Sequence, residues 1–279
     1  MPTIGSLQIP CHLQDKFLSC KYKPYMIDEY EQLRRPRELW SRAVVWMVGI
    51  FIVILLMAVI PGCSRSVLKE ERGFALREGD LLFQDLDCGS LCDAIEKVTT
   101  GYHGANFSHV GIVAKDDNGN FVVFEAVQNG VQAAELQSFL DRSFDVNGRP
   151  KVVVGRLKRR YRYLIPSALK QARHFKAKPY DRVFAIGNES YYCSELIYEI
   201  FLRANDNNPV FTLQPMTFND PETGTVFPAW KEYFSRLDVS IPQDRPGINP
   251  GGISRSPVLT IIYAYGVPGG WEKTEPIGR

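Results

Sequence analysis

Residues 108–128 read SHVGIVAKDDNGNFVVFEAVQ. Two β-branched, apolar runs, 108–115 and 121–128, flank DDNGN, a strong hairpin signal. The predicted turn is a three-residue loop of Asp117, Asn118 and Gly119, with the glycine in the left-handed conformation. Asp116 then faces Asn120, and the same register carried inward sets Gly111 against Glu125. Side chains alternate along a strand, so His109 and Glu125 project from one face as diagonal neighbours, about 7–8 Å apart at their α-carbons. A two-residue loop would send them to opposite faces. The turn therefore decides whether an imidazole and a carboxylate can meet.

A third reactive group lies further along. Residues 191–201, YYCSELIYEIF, predict an amphipathic helix: Leu196, Ile197, Ile200 and Phe201 stand three, four, seven and eight residues after Cys193, so the thiol shares the inward face. Ser190 is the predicted N-cap. A thiol attacks as its thiolate, and its reference pKa near 8.5 leaves only a few per cent ionised at neutral pH. In the first turn Cys193 meets free N–H groups and the positive end of the helix dipole, which favour the anion. A histidine alongside can take the proton and return it to a leaving group, and a third polar group fixes the ring. His109 and Glu125 suit those two roles. The plainer readings are a buried small hydrophobe for Cys193, a hydrogen-bonded core histidine for His109 and a solvent-facing carboxylate for Glu125. Glu125 lies inside VVFEAV, where an unpaired buried charge is costly, so it needs a partner. His103, in GYHG, is the rival base, and His174 is expected on a solvated face.

Elsewhere after residue 80 the elements alternate in type. LLFQ from Leu81 predicts a strand and LCDAIEKVT a helix ending before Gly101. AAELQSFLD, residues 133–141, predicts another helix, KVVVGRL a strand, and PSALKQARHFKAK a helix with proline in its first turn. KPYDRVFAIGNES is a loop. Residues 205–257, rich in Pro, Gly, Asn and Asp, are expected to wrap the surface before VLTIIYAYG forms a last strand.

The chain has 279 residues, 45% of them hydrophobic, enough for a full core. Its net charge of +2 predicts no sustained basic face, and no zinc-finger, helix-turn-helix or basic-zipper pattern occurs, which argues against nucleic acid as a partner. Cysteines at 11, 20, 63, 88, 92 and 193 make neither a disulfide framework nor a zinc ribbon. Cys88 and Cys92 share one helix face by spacing, where they are core, a pair or nothing, with core the preferred reading. Four histidines and no HExxH leave little material for a metal site, so none is expected. There is no GxSxG and no GxxxxGK[ST], which sets aside serine hydrolases and phosphate-binding loops.

Ala43 to Ile60, AVVWMVGIFIVILLMAVI, carries no charged or polar side chain and matches the length of a membrane-spanning helix. Arg34, Arg35, Arg37 and Arg42 precede it, which keeps that end in the cytoplasm and sends the remainder across. The following IPGCS resembles a bacterial lipoprotein signal, with Cys63 as the lipidated residue, although Pro61 departs from it and the leader is long. Lipid attachment at Cys63 and an uncleaved signal anchor are both open. The expected organisation is a cytoplasmic or leader segment over 1–42, the span or signal over 43–62, a connector over 63–79 and one hydrolase domain over 80–279, facing the periplasm or cell exterior.

REGDLLF, NFSHVGIV, VVFEAVQNGV, AKPYDRVF and YYCSELIYEIF, in that order, resemble the circularly permuted papain-like cysteine hydrolases of the NlpC superfamily, in the YiiX-like amidase branch. The likeness covers roughly residues 76–205, and ISRSPVLTIIYAYG resembles the family's closing strand. It implies an α+β papain-like fold, with the cysteine helix packed on an antiparallel sheet that bears histidine and its polar partner ahead of the cysteine. Carried over, Cys193 is the nucleophile, His109 the base and Glu125 the orienting residue, hydrolysing an amide or acyl bond through a thioester without metal or cofactor. The Cys193 N–H is the natural first oxyanion donor, with the hydroxyl of Tyr192 or Tyr180 as a second. Asp181, in KPYD, is either a reader of a substrate amine or a turn-stabilising residue. Peptide-like cell-wall amides and acyl lipids are both candidate substrates: an apolar pocket favours lipid, a polar open groove peptide. The other reading is a non-catalytic module holding a lipid or protein in a papain-like shell.

Overall fold

The computed structural model describes residues 74–272. Residues 1–73, with the apolar segment 43–62 and Cys63, lie outside them. Among the described residues no helix is long and apolar enough to cross a membrane.

Six antiparallel strands form one sheet. They are β1 (Leu81–Gln84), β2 (His109–Lys115), β3 (Phe121–Val127), β4 (Gly130–Glu135), β5 (Val152–Leu157) and β8 (Leu259–Ala264), in the order β4-β3-β2-β1-β5-β8. A pair of two-residue strands, β6 (Gln214–Pro215) and β7 (Pro246–Gly247), lies apart. The helices are α1 (Ser90–Val98), α2 (Leu136–Leu140), α3 (Ile165–His174), α4 (Cys193–Ala204), α5 (Pro228–Arg236) and α6 (Pro250–Ser254).

The β2–β3 hairpin has the predicted register: Lys115 faces Phe121 and Ile112 faces Phe124. Gly119 takes φ +83, and Asp116 Oδ1 accepts from the N–H groups of Asn118 and Asn120. The carboxylate replaces strand partners that the turn cannot supply. Alternation then sorts the strands between two cores. Leu81, Phe83, Val110, Ile112 and Phe124 face the helices α3 and α4, whereas Leu82, Val113, Val123 and Val154 face α2 through Phe139 and Leu140. A sheet buried on both faces has few polar positions, and His109 and Glu125 are two of them.

Several expectations are corrected. Residues 133–135 belong to β4 rather than to a helix, because a two-residue turn at Gln128 and Asn129 starts a second hairpin in which Val127 faces Gly130, and cross-strand pairing outweighs local helix propensity. The helix proper is only Leu136–Leu140. Tyr192, not Ser190, is the N-cap of α4; Ser190 is engaged with the Asn188 side chain. Cys88 precedes α1, since Gly89 at φ +82 breaks the helical path, and it forms a disulfide with Cys92 across a Cα–Cα distance of 5.4 Å. Residues 205–257 do more than wrap the surface: Phe218, Trp230 and Phe234 form a core of their own against Ala94 of α1.

Gly111 has no room for a side chain. A β-carbon there would sit 2.5 Å from Val123 Cγ1 and 3.0 Å from the Phe124 carbonyl oxygen. Gly111→Ala should cost about 1–3 kcal/mol by overpacking and disturb the hairpin that carries both polar residues. Chemical denaturation measures it; an unchanged midpoint would show that the two strands part without cost.

Candidate active site

Glu125 has no exposed surface, and its carboxylate receives four hydrogen bonds. His109 Nε2 lies 2.7 Å from Oε2. Arg142 grips both oxygens, Nη1 to Oε2 and Nη2 to Oε1, each at 2.6 Å. Gln132 Nε2 donates to Oε1 at 2.9 Å from the facing position on β4. Burial pushes the Glu125 pKa up, but the Arg142 fork, His109 and Gln132 outweigh it and hold the group at about 2. It is a carboxylate at any working pH.

Its charge acts on His109, which is 5% exposed. Burial pushes this imidazole down, while hydrogen bonds to Cys193 and Glu125, and the charges of both, lift it from 6.5 to about 9. The protonated ring therefore prevails at neutral pH. With Nε2 given to Glu125, Nδ1 is the nitrogen left for the sulfur. Phe139 packs against the imidazole at 5.8 Å between centroids, and the Arg142 guanidinium lies 5.0 Å from the other ring's centroid, over Phe139. One short segment, 139–142, thus backs the ring and pins its partner.

Cys193 enters as the first residue of α4, which packs on β2 and β3. It is 8% exposed and is a free thiol. At that position its own N–H has no intrahelical acceptor. The Glu195 carboxyl accepts from the Tyr192 N–H at 3.3 Å and closes the helix start; burial and Asp181 raise its pKa to about 8, so it is uncharged near the sulfur at neutral pH.

The residues of lesser standing separate clearly. The Tyr192 hydroxyl oxygen accepts from the Ile248 N–H at 3.2 Å, and burial holds its pKa well above the ordinary value, so its own O–H remains a donor at the cavity. Tyr180 lines the same cavity as Cys193, and burial and the Cys193 charge hold its pKa well above the ordinary value, keeping an O–H donor there. Asp181 turns back on its own loop. It is buried, and its two oxygens accept from Val183 N at 2.8 Å and Ala185 N at 2.6 Å, which makes it a turn residue. His103 is exposed in a separate turn with its ring against Tyr102, and His174 is exposed near the end of α3. Arg142 and Gln132 were not singled out in the sequence; the available signal was Glu125's need for a partner.

A cavity of about 130 Å³ opens beside Cys193. Its wall is more apolar than polar: Ile95 and Val98 of α1, Met216, Phe218, Trp230 and Ile248 line it together with Thr99, Ser108, Gln214, Thr217 and Asn249. Phe184, held at φ +55, wedges its ring between Tyr192 and the Trp230 cluster and fixes the loop that brings Tyr180 to the sulfur.

The family of the permuted papain-like amidase enzymes, YaeF/YiiX, C92, matches residues 75–263. The chain belongs to that family. It is a family of permuted papain-like, cysteine-type amidases. The fold is also that of the crystal structure of the metalloprotein YiiX from Escherichia coli O157:H7, which is 24% identical, superimposes with a TM-score of 0.56, and pairs 69% of this chain with 99% of that one. No curated protein matches the chain. Among the described residues, no three His, Cys, Asp or Glu side chains group so as to hold a metal ion, so the word metalloprotein stays with that relative.

The two shifts give stability a defined pH dependence. Glu125, lowered from 4.5 to about 2, stabilises fully above 4.5 and loses its contribution as pH falls through about 2. His109, raised from 6.5 to about 9, stabilises fully below 6.5 and loses its contribution as pH rises through about 9. The difference in thermal stability between wild type and His109→Gln/Glu125→Gln should therefore be largest from pH 4.5 to 6.5 and shrink on either side; a flat difference would show that the pair does not carry the shifts. Arg142→Ala, which takes the main partner from a buried carboxylate, should cost about 3–5 kcal/mol at neutral pH.

Proposed function

We propose that this chain is a membrane-anchored cysteine hydrolase that cleaves an amide or related acyl bond, with Cys193 as nucleophile, His109 as proton carrier and Glu125 as the orienting carboxylate. The observation that supports it best is the buried line from Cys193 through His109 to Glu125 beside a largely apolar cavity. The Cys193 sulfur attacks the carbonyl carbon and forms a C–S bond. The oxyanion that develops is met by the Cys193 N–H and the Tyr180 hydroxyl. The imidazolium gives its Nδ1 proton to the leaving nitrogen as the C–N bond breaks. Water then attacks the thioester, His109 takes a proton from it, and the thiolate departs as the carboxylic acid forms.

The apolar wall favours an acyl chain over a cell-wall peptide, because a peptide would leave its backbone donors and acceptors unmatched there. The disulfide Cys88–Cys92 accords with an oxidising compartment, the periplasm or cell exterior, to which the uncharged stretch 43–60 would deliver the domain. Whether Cys63 carries lipid or the span stays uncleaved does not alter the chemistry.

The test joins reactivity to turnover. Cys193 should react with iodoacetamide near neutral pH at least about tenfold faster than a free thiol, and His109→Ala should abolish the excess. The full chain should hydrolyse N-acyl amides with medium or long alkyl chains in preference to peptidoglycan peptides, and Cys193→Ala should hydrolyse neither. An inert Cys193 in a protein that still binds acyl amides would instead establish the non-catalytic shell.

A further inference from the structure

The small net charge hides a local excess. From Lys158 to Lys178 the chain has no Asp or Glu, and Lys158, Arg159, Arg160, Arg162, Lys170, Arg173 and Lys176 are all exposed. The expectation of no sustained basic face fails here, because the balancing acids lie elsewhere in the sequence. The stretch is continuous along the chain, a 3-10 turn from Arg159 to Leu164 that runs directly into α3. Among the described residues none of the seven cations is in an ion pair. Lys178 ends the strip, being tied to Glu189 at 2.5 Å, and the neighbouring Arg203 is paired with Glu199 at 3.4 Å. The strip's contacts with protein leave its charge uncompensated: Arg162 Nε donates to the Leu157 carbonyl and Arg173 to the Lys115 carbonyl.

We infer that the strip 158–176 is a docking surface for an anionic phospholipid bilayer. Four of the seven cations are arginines, whose forked donors match lipid phosphates two at a time. Between them stands Tyr163, 70% exposed, a side chain with an apolar body and a polar tip of the kind that sits at the headgroup level. On the reading above that 43–60 spans the membrane, only residues 61–73 separate that stretch from Phe74, about 45 Å when fully extended. A tether of that length keeps the domain within reach of the bilayer, and seven exposed, unpaired cations lower the energy when they turn to anionic headgroups. A nucleic acid would use the same cations, but nothing else on the strip reads bases.

The experiment uses the full chain with vesicles of phosphatidylcholine alone or mixed with phosphatidylglycerol, and reads backbone hydrogen exchange across 158–176. Exchange should slow several-fold only with phosphatidylglycerol at low salt, and return at high salt and in Lys158→Gln/Arg159→Gln/Arg160→Gln/Lys170→Gln. That variant should weaken the lipid-dependent contact by roughly a hundredfold or more. Equal exchange on the two lipids overturns the inference, and so does equal protection by duplex DNA on phosphatidylcholine, which would assign the strip to a polyanion. Failure to enter phosphatidylcholine vesicles, with salt-sensitive capture by phosphatidylglycerol, would remove the anchor and leave the strip standing.

Discussion

A carboxylate with no exposed surface sets the terms for everything around it. Glu125 lies in a strand whose neighbours are valine, phenylalanine and alanine, and water cannot reach it. Left alone, such a group takes up a proton, and a neutral acid cannot hold an imidazolium. Arg142, Gln132 and His109 supply donors enough to reverse the effect of burial. Each donor depends on a separate piece of local structure. The three-residue turn at 117–119 sets His109 on the right face, the second hairpin sets Gln132 opposite, and the short α2 ends where Arg142 can reach back. A slip in either hairpin by one residue would send a partner to the other face of the sheet.

The consequence for chemistry is where the proton rests. With Glu125 at about 2 and His109 at about 9, the proton stays on the ring across the whole neutral range. On the reading proposed above, His109 would therefore meet a substrate as a proton donor. The helix start adds to this arrangement. Free N–H groups at the first turn of α4 favour negative charge on sulfur, and the one carboxyl in that turn, Glu195, is kept neutral by burial and by Asp181. Glu195 therefore adds no negative charge beside Cys193 at neutral pH.

Sequence patterns carried the triad further than the structure around it. DDNGN specifies a turn by chemistry that few other sequences satisfy, so register, face and the meeting of His109 with Glu125 follow from counting. The helix of Cys193 is equally legible, because its apolar spacing is regular. Arg142 was not, since it belongs to no periodic element: an arginine after a five-residue helix reads as solvated, and only the three-dimensional path of the chain shows what it grips. The 133–135 segment misleads for a related reason. Ala-Ala-Glu favours a helix locally, and pairing with Val122–Phe124, known only in space, decides otherwise. Cys88 and Cys92 have the spacing of a helix face, but Gly89 between them breaks the helix on which that reading depends.

The cavity beside Cys193 is walled by the least patterned part of the chain. The proton-handling groups come from a sheet with fixed register, whereas the cavity wall comes from α1, from 214–218, from Trp230 and from 247–250, segments joined by Pro, Gly and Asn. Such segments follow no period that a sequence could reveal, yet they close over Cys193 because Phe218, Trp230 and Phe234 bury one another and Phe184 locks the loop at the mouth. The division has a physical logic. Catalysis needs donors placed to a few tenths of an ångström, which a two-sided buried sheet provides; an apolar pocket needs only shape and dryness, which loops with their own small core can supply and can vary without moving the triad.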